Sequence, residues 1–433
     1  MVAIKKKYSP DINLNLNVRG LAPSATLEIN ERSNRLIQEG KHVYKFGLGQ
    51  SPFPVPEPVV EALKENAFQK NYLAVKGLAE LRQAVADYHC RLENICYQAD
   101  DVLIGPGSKE LMFILQLVYY GDLVIPTPSW VSYAPQAHII GRKIQWIQTH
   151  PENGWRLLPE EIEKLCSGDP NRPRLLILNY PNNPSGVTYQ REELKMLAKT
   201  ARKYKIVLLS DEIYGQLHHR GQHVSIARYY PEGTIISSGL SKWCGAGGWR
   251  LGTFVFPSSL HWLLDAMAAV ASETFTATSA PIQYAAVRAF QGGPEIERYL
   301  RNSRRILGGL GRALAKKLQS AGAAVPDPQG GFYLFPEFSR HREKFSAMGI
   351  HTSQDFCQKL LDDTGVAILP GRAFGRPATE LSARLAYVNF DGATALQAAD
   401  AMPPDAPLSQ SFLRKYCGEA IIAIDLMCEW LAK

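Results

Sequence analysis

The stretch Ile235-Ile236-Ser237-Ser238-Gly239-Leu240-Ser241-Lys242-Trp243-Cys244-Gly245-Ala246-Gly247-Gly248-Trp249-Arg250-Leu251-Gly252, followed by Thr253-Phe254-Val255-Phe256, decides how this chain is read. Two apolar runs flank a segment of serine, glycine and tryptophan that carries two cations and no acid. A lysine that is desolvated, or held near another cation, becomes a nucleophile. Arg250 supplies that cation, and its guanidinium is suited to clamp a phosphate. The plain alternative is a lysine that points into solvent.

Outward from this stretch, short apolar runs recur at 102–104, 123–125, 175–178, 206–209, 235–236 and 253–256, separated by helix-length segments. Runs of this kind indicate parallel strands buried on both faces, with helices packed over them. A largely helical stretch over 284–323 leads to a second group of candidate strands at 331–335, 366–369 and 384–388. The fold class is α/β, with a large central domain and a smaller α+β domain. A helix over 24–39, ended by Gly40, is expected to join the smaller domain. The glycines and prolines of 46–56 force an irregular loop.

Ligands of open parallel sheets bind beyond the carboxyl ends of the strands, so the residues after each run carry the argument. After 102–104 comes Gly105-Pro106-Gly107-Ser108-Lys109, a glycine turn into an apolar helix. It either cradles an anion on free N–H groups or makes a tight strand–helix turn. After 175–178 comes Asn179-Tyr180-Pro181-Asn182-Asn183-Pro184-Ser185-Gly186, a rigid turn able to aim an amide, or a capped loop. After 206–209 comes Ser210-Asp211-Glu212-Ile213-Tyr214. A carboxylate directly after a buried strand needs a cationic or hydrogen-bonding partner, although a helix N-cap would also explain it.

Composition excludes several classes. With 433 residues, 45% hydrophobic and 21% charged, the chain can form two sizeable cores and is neither disordered nor fibrous. The net charge of +7 is small, and Lys5-Lys6-Lys7 is the one obvious basic run, so no nucleic-acid partner is expected. The seven cysteines show neither a Cys-x-x-Cys pair nor zinc-like spacing. Buried reduced thiols and no metal site are expected. No apolar stretch approaches the roughly 18 residues of a membrane span, and no signal-like segment opens the sequence. These features predict a soluble, cytoplasmic protein with no membrane partner.

The four segments, in this order and with these gaps, resemble the class I pyridoxal-phosphate (PLP) aminotransferases of fold type I. They are most similar to the bacterial aspartate aminotransferase-like subgroup. The likeness runs from Arg19-Gly20-Leu21-Ala22-Pro23-Ser24-Ala25-Thr26 to Arg384-Leu385-Ala386-Tyr387-Val388. It implies a mostly parallel seven-stranded sheet in a PLP-binding domain at 49–300. The small domain would then be formed by both chain ends, residues 1–48 and 301–433.

The resemblance also implies roles. Lys242 would form the internal Schiff base and carry a proton between the substrate Cα and C4′ of the cofactor. Asp211 would pair with the pyridine nitrogen, while Tyr214 and Asn183 would hydrogen-bond the ring's phenolic oxygen. Trp130 would stack on the ring, unless it is an ordinary core tryptophan. Backbone N–H groups of Ser108 and Lys109 would hold the phosphate together with Arg250, joined by Tyr72 from a neighbouring subunit of a homodimer with shared sites. Arg384 would grip the substrate α-carboxylate, with Gly49, Trp130 and Asn183 also on the substrate side. Tyr333 and Phe374 either line that side or belong to the core. Where many relatives have a phosphate-binding serine, three residues before the lysine, this chain has Gly239; Ser238 or Ser241 would substitute.

The resemblance implies transfer of an amino group from an L-amino acid to a 2-oxo acid such as 2-oxoglutarate. Residues 266–287 contain no arginine before Val287 that would read a distal carboxylate. Lys109 matches the lysine that does so in the closer subgroup, which favours aspartate or glutamate; aromatic donors remain open. The alternative is a PLP-dependent lyase or cyclase of the β/γ-elimination type in specialised metabolism. The tail beyond Asp391, interrupted by Pro403-Pro404 before a final helix at 412–431, has no assigned role.

Overall fold

The computed structural model describes residues 13–21 and 24–433. Strand β1 (Tyr44–Lys45) belongs to the smaller part of the molecule. The next seven strands build the main sheet: β2 (Val102–Gly105), β3 (Asp122–Thr127), β4 (Ile144–Gln148), β5 (Arg174–Asn179), β6 (Val207–Asp211), β7 (Thr234–Gly239) and β8 (Gly252–Val255). Their spatial order is β2-β8-β7-β6-β5-β3-β4. Each of the six apolar runs lies within or overlaps one strand.

Two features depart from the sequence expectation. The run at 253–256, read as a parallel strand, forms β8 and runs antiparallel to both β7 and β2. The loop that joins β7 to β8 contains no crossover helix, and a parallel return needs one. The seventh strand, β4, is Ile144-Gln-Trp-Ile-Gln and pairs only with β3. Only Ile147 of this strand is buried, so polar residues interrupt it and leave no continuous apolar run, whereas β2 at the opposite edge is buried throughout.

The sheet is buried on both faces by the period-two alternation of its central strands. Leu175, Ile177 and Leu209 pack with Leu111, Leu115 and Leu263 on one side. Leu176, Leu178 and Leu208 pack with Leu194, Leu197 and Ala201 on the other. Each leucine fully removed from water contributes about 1.5–3 kcal/mol. The central strands are thereby held firmly, and their carboxyl ends form a rigid edge.

The smaller part contains β9 (Tyr333–Leu334), β10 (Val366–Ala367), β11 (Leu369–Pro370) and β12 (Ala383–Ala386). Strands β11, β12 and β9 form an antiparallel sheet, and β1 pairs in parallel with β10, Tyr44 opposite Val366. Ala386 N–H also donates to the Phe46 carbonyl at 2.9 Å. Helix Ala25–Gln38 sets Ile29 against the cluster of Phe335, Leu369 and Phe374. Both ends of the chain therefore build one α+β layer.

The helical stretch at 284–323 is two helices, Ala280–Gln291 and Pro294–Ser320, divided at Gly292-Gly293. Adjacent glycines before a proline stop one helix and start the next. The final helix is likewise two, Gln410–Tyr416 and Gly418–Ala432. This tail covers the small layer. Trp430 Nε1 donates to Asp363 at 2.8 Å, and Lys317 pairs with Asp425 at 2.5 Å. Among the described residues no helix is long and apolar enough to cross a membrane.

Candidate active site

A cavity of about 550 Å³ opens between the carboxyl edge of the main sheet and the small layer. Its lining includes Gly49, Ser108, Lys109, Trp130, Asn183, Asp211, Tyr214, Ser241, Lys242, Arg250, Tyr333 and Arg384. The sequence-predicted residues thus meet at one place, although they lie on segments spread over more than three hundred residues. A hollow of about 680 Å³ is larger but is lined by residues such as Asp122 and Pro173, at the starts of β3 and β5. None of the predicted residues reaches it.

The charge balance of the cavity is unusual. Four cations, Lys109, Lys242, Arg250 and Arg384, share the lining with one carboxylate, Asp211. Among the described residues none of the four has an acidic side chain within 4.0 Å. Arg384 is buried and Lys242 half-buried, whereas Lys109 and Arg250 are exposed; four cations grouped around one carboxylate suit an anionic guest.

Lys242 is held by one hydrogen bond, from Nζ to the Gly49 carbonyl at 2.7 Å. Burial, and then the positive charges of Arg384 and Arg250, lower its pKa to about 8. In the ligand-free protein, labelling of Lys242 by a small amine-selective reagent is expected to rise about tenfold per pH unit up to about 8, then level off. A rise that continues to pH 10 would show an ordinary, solvated amine.

Asp211 ends β6 and is buried, which raises its pKa to about 6. Tyr133 Oη donates to Asp211 Oδ2 at 2.5 Å, opposing the effect of burial. Asn179, at the end of β5, donates its amide to the Asp211 carbonyl at 2.9 Å and accepts from Asn183 N–H at 2.8 Å. Tyr133 and Asn179 carried no role in the sequence reading. Asn179 lies in a segment singled out there and Tyr133 three residues after Trp130, but spacing alone does not show where their side chains point.

Tyr214 Oη lies 2.8 Å from Tyr333 Oη. Arg384 is only 2% exposed and lies between the rings of Tyr333 and Phe374, at 4.9 and 5.1 Å. Its Nη2 donates to the Gly47 carbonyl, its Nη1 to Asn183 Oδ1 at 3.3 Å, and its Nε has no partner among the described residues. Phe374 supports Arg384 without lining the cavity. Gly49 must be small: a Cβ there would meet Tyr333 Oη at 1.9 Å.

The phosphate expectation has a geometric test. Helix Ser108–Val118 begins at the cavity, and its first N–H groups have no partner within the helix. A Cβ on Gly252 would meet Ser108 N at 2.1 Å, and one on Gly107 would meet Arg250 Nη2 at 2.2 Å. Arg250 itself adopts φ 55°, a left-handed conformation uncommon for a non-glycine residue. Backbone N–H groups and a guanidinium are thus brought together where any side chain would fill the space. Ser241 lines the cavity, whereas Ser238 is buried in β7 and does not. Tyr72 is 91% exposed and stands apart from the cavity of its own chain.

Residues 41–401 match the family model for aminotransferase class I and II. The chain belongs to this family. It is 31% identical to the aspartate aminotransferase of Bacillus subtilis (strain 168), over 86% of this chain and 93% of that one. It is 30% identical to the asparagine–oxo-acid transaminase of Streptococcus mutans, over 86% and 94%. Among solved structures it is similar to the aspartate aminotransferase from Thermus thermophilus with maleate, with a TM-score of 0.79, 27% identity and coverage of 90% and 98%. The chain is therefore a PLP-dependent amino acid aminotransferase of fold type I, and nothing in these comparisons favours a lyase or cyclase.

The residues present fit the cofactor. The cations, which have no acidic partner among the described residues, suit its phosphate and the substrate carboxylate, and the buried Asp211, hydrogen-bonded by Tyr133, suits a protonated ring nitrogen. Gly252→Ala is expected to push the start of helix Ser108–Val118 outward, at a cost of about 1–3 kcal/mol. Dialysed variant protein should lose PLP faster than the parent while its circular dichroism stays the same.

Proposed function

We propose that this aminotransferase moves the amino group of aspartate or glutamate to a 2-oxo acid such as 2-oxoglutarate. The observation that carries the reading is Arg384, buried without a counter-anion among the described residues in the cavity that also holds Lys242. Bound PLP supplies the electron sink that makes the substrate Cα–H acidic. Asp211 holds the ring nitrogen in its protonated form. The backbone N–H groups of Ser108 and Lys109, with Arg250, would hold the phosphate, and Trp130 would lie against the ring. Tyr214 and Asn183 hydrogen-bond the ring oxygen. Arg384 orients the α-carboxylate, with Gly49 N–H beside it.

Lys242 is the attachment point and the proton carrier. A lowered pKa near 8 suits the latter role, because a base works best when its pKa lies near the working pH. The exposure of Tyr72 suits its donation to the phosphate of a partner subunit in a homodimer. For the substrate's distal end, Lys109 Nζ sits 5.6 Å from the centre of the Trp130 ring, inside the cavity. The Thermus relative was solved with maleate, itself a dicarboxylate.

The test is incubation with aspartate and 2-oxoglutarate. Formation of glutamate supports the reading, and release of ammonia without glutamate overturns it. Lys109→Gln is expected to lower kcat/KM for aspartate about tenfold to a hundredfold more than for alanine, since a hydrogen bond to a charged group contributes about 1.5–3 kcal/mol. Equal losses for both donors would remove Lys109 from specificity.

A further inference from the structure

The seven cysteines were expected to be buried, and four of them are: Cys166, Cys244, Cys357 and Cys417. Cys428 is half-buried and faces the Lys317 carbonyl at 3.7 Å. The remaining two, Cys90 and Cys96, lie near the surface with their sulfurs only 2.8 Å apart. We propose that Cys90 and Cys96 form a reversible dithiol/disulfide site oxidised by peroxides.

The local backbone holds the pair together. Cys90 lies in the last turn of helix Ala79–Glu93, and Asn94 closes that helix in a left-handed conformation at φ 54°. The turn then brings Cys96 back over the helix end. Two side chains anchor it: Glu93 Oε2 accepts from Ser225 N–H and Arg228 Nε, each at 2.9 Å, and Arg91 Nη2 donates to the Phe290 carbonyl at 2.7 Å. Closure to a bond of about 2.05 Å needs less than about 1 Å of further approach. Cys96 is the more exposed of the two and meets a peroxide first, while the hydrogen bond with Cys96, and then burial, raise the pKa of Cys90.

The chemistry balances with one peroxide. The Cys96 thiolate attacks a peroxide oxygen, the O–O bond breaks, and after proton uptake one water leaves and Cys96 becomes a sulfenic acid. Cys90 then loses its proton and attacks the Cys96 sulfur. The S–O bond breaks, and the departing hydroxide takes that proton as a second water. The sulfur pair gives up two electrons to the peroxide, and a dithiol reductant returns them.

The full-length holoenzyme is treated with hydrogen peroxide, alkylated and mapped by peptide mass spectrometry. The expected product is a Cys90–Cys96 cross-link lighter by two hydrogens, lost again on treatment with dithiothreitol. In Cys90→Ser the sulfenic acid at Cys96 persists and takes up several-fold more dimedone than the parent protein. Neither thiol lines the active-site cavity, so unchanged basal transamination confirms that the variant is folded. Full alkylation of both residues after oxidation, or conversion of Cys96 to sulfinic acid without a cross-link, would overturn the proposal.

Discussion

Lys242→Ala is expected to lower the transamination rate on the order of 10²- to 10⁴-fold, the range assigned to one well-placed proton carrier. The same variant should lose the visible absorbance of cofactor attached to the protein. Both effects follow from a single atom: Nζ is the one primary amine in the cavity with a pKa lowered to about 8. Lys109 is also displaced downward, but by burial and Arg250, and it stands over Trp130 rather than beside Gly49. Lys242→Arg keeps the charge yet cannot release a proton in this pH range, so it should be as inactive as the alanine variant. Loss of fold does not account for such a result. Removing a buried cation relieves a desolvation cost, so the thermal midpoint of the ligand-free variant should not fall. Retention of the visible band in Lys242→Ala would reject the attachment site.

Much of this site was legible because the chemistry sits where the chain changes character. Asp211 follows an unbroken apolar run, and Lys242 and Arg250 lie in a segment without acids; a charge in such a place needs a reason. The apolar runs likewise marked every central strand, since those are buried on both faces. Legibility failed where neighbours decide the outcome. Edge strand β4 carries polar residues because most of its side chains are half-buried or exposed, unlike those of β2 at the other edge. The direction of β8 depends on the absence of a crossover helix, not on its own residues. Tyr133 reaches Asp211 from seventy-eight positions away, and nothing in its local sequence points there. The tail was opaque for the same reason: Asp425 and Trp430 acquire meaning only from Lys317 and Asp363, which they meet in the small layer.

Arg384→Ala is expected to lower kcat/KM for amino acid donors about 30-fold to several thousand-fold, mostly through KM. Truncating one partner of a buried, hydrogen-bonded charge pair costs about 2–5 kcal/mol, and each 1.4 kcal/mol is tenfold. Its placement argues for the upper part of that range. Tyr333 and Phe374 hold the guanidinium between their rings, the Gly47 carbonyl and Asn183 orient it, and among the described residues it has no acidic partner. Its rotamer is thus set before the substrate arrives, and little ordering is left to oppose binding. Arg384→Lys should recover only a small part of the loss, because an ammonium offers neither two parallel N–H groups nor a flat face for the rings. The discriminating measurement compares each L-amino acid with the amine that lacks its α-carboxylate. The parent enzyme should prefer the amino acid strongly, and Arg384→Ala should treat the two nearly alike. If the preference survives in the variant, the carboxylate is read elsewhere, and Arg384 serves only to join Gly47 and Asn183 across the cavity.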